Sequence, residues 1–225
     1  MGDLLLNFPD MDIYWYGQSC FKLKGKEATV IIDPFDPEFT GLKLPKDMDA
    51  DIVLKTHDHQ DHNNVRAVTG DSRLFEGPGE YESKGVVVTG VASFHDDSKG
   101  AQRGLNTMFS VTMDGLNVVH LGDLGQSALT EEQVNEIDRV DILLIPVGSI
   151  YTIDAKAAAG IVSQLEPKII TPMHYGGVEG LKFPLDPVEK FLKEMGAEGV
   201  EPQPKLSITK DKLPEEPMVV ILNKS

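Results

Sequence analysis

Residues 56–62 read Thr-His-Asp-His-Gln-Asp-His, so three of the chain's six histidines fall within seven positions. No other feature restricts the fold as strongly. Burying three imidazoles and two carboxylates together without a cation would be costly. The apolar run 51–55 just before them has strand character, and Asn63-Asn64 beyond them can cap a helix over 65–69. The seven residues then form a strand-to-helix connection. In extended backbone, side chains two apart share a direction, so His57, His59 and Asp61 converge while His62 points elsewhere. One loop can therefore serve two adjacent ions, His57 and His59 on one, Asp61 and His62 on the other. The remaining ligands must come from distant segments.

Three candidates end apolar runs: His95 in SFHDD, Asp123 in HLGDLG and His174 in TPMHYGG. Functional side chains commonly project where strands feed loops, and the run behind each one fixes its position. Further strand runs are predicted at 12–16, 19–24, 28–33, 52–56, 86–91, 108–113 and 117–121, with hairpin turns at Gly25-Lys26 and Asp114-Gly115. Two more buried runs lie at 141–146 and 168–173. Helices are predicted over 130–139, 154–165 and 186–195. The first opens with a Thr130-x-x-Gln133 capping box and the second with Asp154. The third has Pro187 in its first turn and Gly196 just past its end. Two sheets packed face to face, with helices outside, would bury every apolar face. The expectation is one α+β domain over 1–225, an αββα four-layer sandwich of two mixed sheets with helices on the outer faces.

With 40% hydrophobic residues in a chain of 225, one core is well supplied. The formal charge of −15 repels nucleic acid and anionic membranes, leaving a small molecule as the expected partner. Cys20 is the only cysteine, which rules out an intramolecular disulfide and suits a reducing cytoplasm. The leucines at 4–6 are too few for a signal peptide or a membrane span, and Leu6 stands where a myristoylation motif beginning at Gly2 would need Ser or Thr.

His120 has the opposite strand parity to Asp123 and reads as structural. Gly77-Pro78-Gly79 is no dinucleotide fingerprint, because Glu82 takes the third glycine position, and no Gly-x-Ser-x-Gly elbow occurs. Glu80 and Tyr81 read as turn residues and Lys99 as solvated charge. Arg103, in the loop after His95, is placed to meet an anionic substrate, and Tyr151 and Tyr175 sit in loops that can border a pocket.

The order His-x-His-x-Asp-His, then separate His, Asp and His, resembles the metallo-β-lactamase-fold hydrolases. The resemblance runs from VIIDPF to MHYGG, and GPGEYESKG and HLGDLG are similar to the branch that includes ascorbate-phosphate lactonase-like, Zn-dependent hydrolases. It implies that His57, His59 and His95 hold one metal ion, that Asp61, His62 and His174 hold a second, and that Asp123 bridges them. Asp33 matches a strand-end aspartate that orients ligands. Two departures narrow the reading. Asp123 stands where the β-lactamases of the three-His plus Asp-Cys-His type need a cysteine, and His59 stands where the flavodiiron relatives carry Glu.

The implied activity is that of a metal-dependent hydrolase, in which a hydroxide held between two divalent ions attacks the substrate and Asp61 orients it. The nitrogen and oxygen ligands suit zinc, and manganese or iron would also fit. Two ions, less two carboxylates and a hydroxide, leave a local charge of about +1, which favours a small anionic ester, lactone or phosphoester. The alternative is a non-catalytic metal-binding sensor or interaction protein on the same fold. An open coordination position and turnover of a generic substrate separate the two.

Overall fold

A computed structural model describes residues 11–225; Gly2 and the leucines at 4–6 lie outside them. The chain begins β1 (Met11–Gly17), β2 (Cys20–Lys24), β3 (Thr29–Ile32), α1 (Pro37–Thr40), β4 (Ile52–Lys55), β5 (Arg73–Glu76) and β6 (Gly79–Ser83). It continues β7 (Val86–Phe94), β8 (Leu105–Met113), β9 (Leu116–His120), α2 (Glu131–Ile137), β10 (Ile142–Pro146), α3 (Ala155–Leu165) and β11 (Ile169–Met173). Helix α4 (Glu189–Glu194) and the short strands β12 (Leu206–Ile208) and β13 (Met218–Val219) complete it.

Two mixed sheets result, six strands in the order β12-β1-β2-β3-β4-β5 and seven in the order β13-β11-β10-β9-β8-β7-β6. The β3-β4-β5 pairings are parallel, as are β9-β10-β11-β13. Strands flanked on both faces read as continuous apolar runs, and every residue of β9, β10 and β11 is buried. In the first sheet the two faces separate by parity. Val30 and Ile32 enter the main core while Ile31 joins a second cluster with Tyr16, Cys20, Phe35, Leu42 and Met48.

The capping box at Thr130 forms in both directions with Gln133, and Asp154 caps α3. Helix α2 packs on β7, and α3 packs on α4. The outer layer of the first sheet is thinner than a full helical layer. Four-residue α1 and the segment 35–50 cover that face through Phe35, Leu42, Met48 and Ala50.

The helix predicted over 65–69 is a three-residue 3-10 turn, Val65–Ala67. The Asn64 side chain does not cap it; its amide donates to the Phe35 carbonyl (3.0 Å) instead. Helix α4 begins three residues later than predicted, because the Asp186 backbone is tied to Gly148 and Gly176. No described helix is long and apolar enough to cross a membrane.

Candidate metal centre

Five segments deliver side chains to one edge of the sandwich. The loop after β4 carries His57, His59, Asp61 and His62, and its turn closes with the His62 amide on the His59 carbonyl (2.9 Å). His95 follows β7, Asp123 follows β9 and His174 follows β11. Asp33 follows β3 at φ +49°, a left-handed conformation that costs energy away from glycine. His174 sits at φ +52°, with its amide donating to the Gln18 carbonyl (3.1 Å). The backbone at both strand ends is bent by tertiary bonds to aim a side chain.

Seven side chains fall into two groups, His57, His59 and His95, and Asp61, His62, Asp123 and His174. Within each group one nitrogen or oxygen per residue lies within 4.8 Å of all the others. His57 Nε2 and His59 Nδ1 are 3.1 Å apart. Asp123 Oδ2 joins the groups, 3.2 Å from His62 Nε2, 3.3 Å from His174 Nε2 and 3.4 Å from His95 Nε2. The sequence-predicted ligands are thus brought together.

Asp33 stands directly behind this set. Its buried carboxylate accepts from the Thr56 amide (2.8 Å), the Thr56 hydroxyl (2.7 Å) and His62 Nδ1 (2.8 Å). That last bond places the His62 proton on Nδ1 and turns a lone pair on Nε2 toward Asp123. His62 Nε2 is buried without a hydrogen-bond partner. No lysine or arginine pairs with Asp33, Asp61 or Asp123 among the described residues. An orphaned imidazole nitrogen facing buried carboxylates without cations is a donor set that fits a divalent metal.

The electrostatics divide the cluster: His57 is held neutral, whereas the carboxylates favour protons on His62 and His174 that a bound metal would displace. Burial, reinforced by the neighbouring His62, lowers His57 to about 2 despite the opposing pull of Asp123, so it stays neutral as a ligand must. Burial opposes charge on His62 and His174 too, but Asp123 and Asp61 outweigh it and raise both. Burial also works against ionising Asp61 and Asp123, yet the facing imidazoles carry both well below the ordinary carboxylate range.

The β-lactamase superfamily domain model matches residues 12–174, ending on the last residue of this cluster. A UPF0173 metal-dependent hydrolase of Thermoplasma acidophilum is 30% identical, over 84% of this chain and 93% of its own length. One from Archaeoglobus fulgidus is 31% identical, over 85% and 93%. The chain belongs to the UPF0173 metal-dependent hydrolases of the β-lactamase superfamily. A crystal structure from Thermotoga maritima, described as a candidate Zn-dependent hydrolase of the metallo-β-lactamase superfamily, is also similar. It has a TM-score of 0.78 and 38% identity over 94% of this chain and 98% of that one.

In this superfamily member the cluster floors an open cavity of about 480 Å³, whose lining includes His59, Asp61, His95 and Asp123 together with Arg103 and Tyr151. Tyr175 does not line it, because the ring packs against Trp15 with centroids 4.9 Å apart. Lys99 is exposed outside it, and Tyr81 donates to the Glu76 and Gly77 carbonyls as a turn residue. His120 is fully determined by backbone groups, with Nδ1 accepting from the Gly122 amide (3.0 Å) and Nε2 donating to the Ser19 carbonyl (2.8 Å).

Sequence reasoning missed the residues that brace the ligands. The Gln18 amide donates to Asp61 Oδ2 (3.2 Å), and the Ser19 hydroxyl donates to Asp123 Oδ1 (3.3 Å). Asn106 Oδ1 accepts from the Asp123 amide (3.0 Å). Gly122 allows this approach, at φ +56° and with no room for a Cβ, which would lie 2.3 Å from Asn106 Oδ1. That glycine in HLGDLG was the available signal; Gln18, in an ordinary-looking strand connection, gave none.

Proposed function

We propose that this hydrolase cleaves a small anionic ester, lactone or phosphoester at a paired metal centre. The observation that carries the proposal is Asp123 Oδ2, lying within 3.4 Å of imidazoles from both groups. His57, His59 and His95 would hold one ion, Asp61, His62 and His174 the other, with Asp123 shared. Two divalent ions, zinc by the donor set, would supply Lewis acidity and a nucleophile made from water at neutral pH.

The chain's own residues supply orientation. Asp33 keeps the His62 proton on Nδ1 and so keeps Nε2 free to bind. Ser19 occupies Asp123 Oδ1, leaving Oδ2 for the imidazole side. Asp61 lines the cavity, and the Gln18 amide holds its Oδ2. Held ionised, Asp61 serves as a hydrogen-bond acceptor that directs the attacking water; its weak basicity suits aiming a proton better than storing one. The acidic surface selects against polyanions, so the substrate is a small molecule, and a reducing cytoplasm suits the lone buried Cys20.

The test is turnover by zinc-reconstituted protein across a panel of small esters, lactones and phosphoesters. Hydrolysis that disappears on chelation and in Asp123→Asn supports the proposal. Protein carrying two ions that cleaves nothing in the panel contradicts it.

A further inference from the structure

The cavity over the metal centre has one charged floor and one aromatic wall. The wall is assembled from Phe39 on α1, Tyr151 after β10, and Phe183 in the segment between β11 and α4. The Phe39 and Phe183 ring centroids are 5.3 Å apart at 60°, and those of Tyr151 and Phe183 are 6.0 Å apart at 80°. Arg103 extends the row, its guanidinium carbon 5.9 Å from the Tyr151 centroid. Three rings from three segments thus form one edge-to-face series beside the proposed ligands, and Arg103 lies over the Tyr151 face at its end.

A single exposed aromatic ring needs no explanation, and Phe39 is 40% exposed. Three rings converging on the cavity that the ligand cluster floors are a different observation. They are also held in place. The Lys182 amide donates to the Thr40 carbonyl (2.9 Å), fastening the Phe183 segment to α1. At the join, Gly41 has φ +82° and a Cβ there would sit 2.3 Å from the Gly180 carbonyl oxygen, so only glycine permits the contact. Leu181 and Val178 pack into the cluster under α1. The wall is therefore preformed rather than left for a ligand to order.

Arg103 completes the selection. Among the described residues it pairs with no carboxylate, in a chain with 36 acidic side chains; its guanidinium donates only to the Ile150 carbonyl (3.1 Å). Lys55, at the other side of His59, is by contrast neutralised by both Asp58 and Glu76 at 2.6 Å. The turn that carries Arg103 is wound around Asp96, whose carboxylate accepts the amides of Ser98, Gly100, Gln102 and Arg103.

We propose that the substrate carries a planar apolar group, in practice an aryl ring, that rests on Phe39 and Phe183 while an anionic group meets Arg103. This deepens the hydrolytic reading and rests on it for the position of the scissile bond above the ligand cluster.

The test is binding of phenylphosphonate and methylphosphonate to zinc-loaded protein, followed by titration calorimetry. Phenylphosphonate should bind roughly 10- to 100-fold more tightly, the scale of an apolar group filling a pocket. In Phe39→Ala/Phe183→Ala that ratio should fall to about threefold or less. If that variant does not fold, Phe39→Leu/Phe183→Leu keeps the bulk and should still reduce the ratio. Arg103→Gln should weaken both phosphonates by roughly 5- to 10-fold, as expected for loss of a partly exposed charged hydrogen bond. Equal affinities in the parent, or a ratio that survives the wall variants, would overturn the aryl assignment. An Arg103→Gln protein that binds both as the parent does would overturn the anion assignment. Turnover is not read in this experiment. Failure to hydrolyse any panel substrate would contradict the hydrolytic reading and leave the phenyl-to-methyl ratio intact.

Discussion

The two halves of the candidate metal centre are built differently. Asp61, His62, Asp123 and His174 are all buried. Gln18, Asp33 and Ser19 brace the side chains of the first three, while His174 is fixed through its backbone amide on the Gln18 carbonyl and its Nδ1 has no hydrogen-bond partner. In the other half His57 is half-buried, His59 is exposed, and only His95 is buried. His57 Nδ1 has the Thr56 hydroxyl at 3.0 Å, whereas His95 Nδ1 is buried without a hydrogen-bond partner. Ligands held by outer hydrogen bonds lose less freedom on binding and are aimed correctly beforehand. The difference teaches that the halves should hold metal with unequal strength, the buried one more tightly. The cavity is lined by His59 and His95 of the exposed half and by Asp61 and Asp123 of the buried half, so substrate meets the seam between them.

The largest expected effect removes what the halves share. Asp123→Asn keeps size but discards the charge and one of two equivalent oxygens. Turnover should fall by more than the roughly 10- to 100-fold typical of outer-shell changes, with weaker metal binding in both halves. Full turnover with unchanged metal content would show that the halves are independent of Asp123.

Asp33→Asn tests the bracing itself. The Thr56 amide needs an acceptor at position 33, so the asparagine amide group must face His62 and force its proton to Nε2. Metal affinity of the buried half should drop roughly 10- to 100-fold and that of the exposed half by less, because Asp33 reaches His57 only through the Thr56 hydroxyl. Equal losses in both halves, measured by competition with a chromophoric chelator, would break the comparison.

His59→Ala should do the opposite. Affinity of the exposed half should fall at least about tenfold, with stability changed by no more than about 0.5 kcal/mol because the side chain is exposed. Thermal melting of the metal-free protein, alongside metal titration, separates the two effects.

The smallest effect on metal belongs to His120→Ala. Its ring satisfies the Ser19 carbonyl and the Gly122 amide, so the cost should appear as about 1–3 kcal/mol of stability, with metal stoichiometry unchanged. Loss of an ion would instead make His120 a participant in the centre.

Much of this centre was legible in the sequence because the density of His and Asp over 57–62 and the ends of apolar runs are local properties. The positions of His95, Asp123 and His174 need only a place for each apolar run to stop. The period of two predicted for His57, His59 and Asp61 does not hold: residues 58–62 turn, with the His62 amide on the His59 carbonyl, and Asp61 joins His62 instead. The capping box at Thr130 was equally local. What could not be read depends on partners far away in the chain. Gln18 reaches Asp61 across 43 positions and Ser19 reaches Asp123 across 104. Strands β5 and β6 escaped because RLFE and GEYES lie at sheet edges, mostly exposed, and carry no regular apolar alternation. The aromatic wall was half seen: Arg103 and Tyr151 were marked by their loops, whereas Phe39 and Phe183 resemble ordinary core residues until the fold brings them together.

The central claim is that two unequal halves each hold one ion. It is tested most directly by zinc bound per chain against rising chelator concentration, for the parent, His59→Ala and Asp33→Asn side by side. The parent should bind about two zinc ions and release them in two separated steps. His59→Ala should lose the early, weakly held step and Asp33→Asn should shift the late one. A single step of one ion in the parent, or two steps that both variants shift alike, would contradict it.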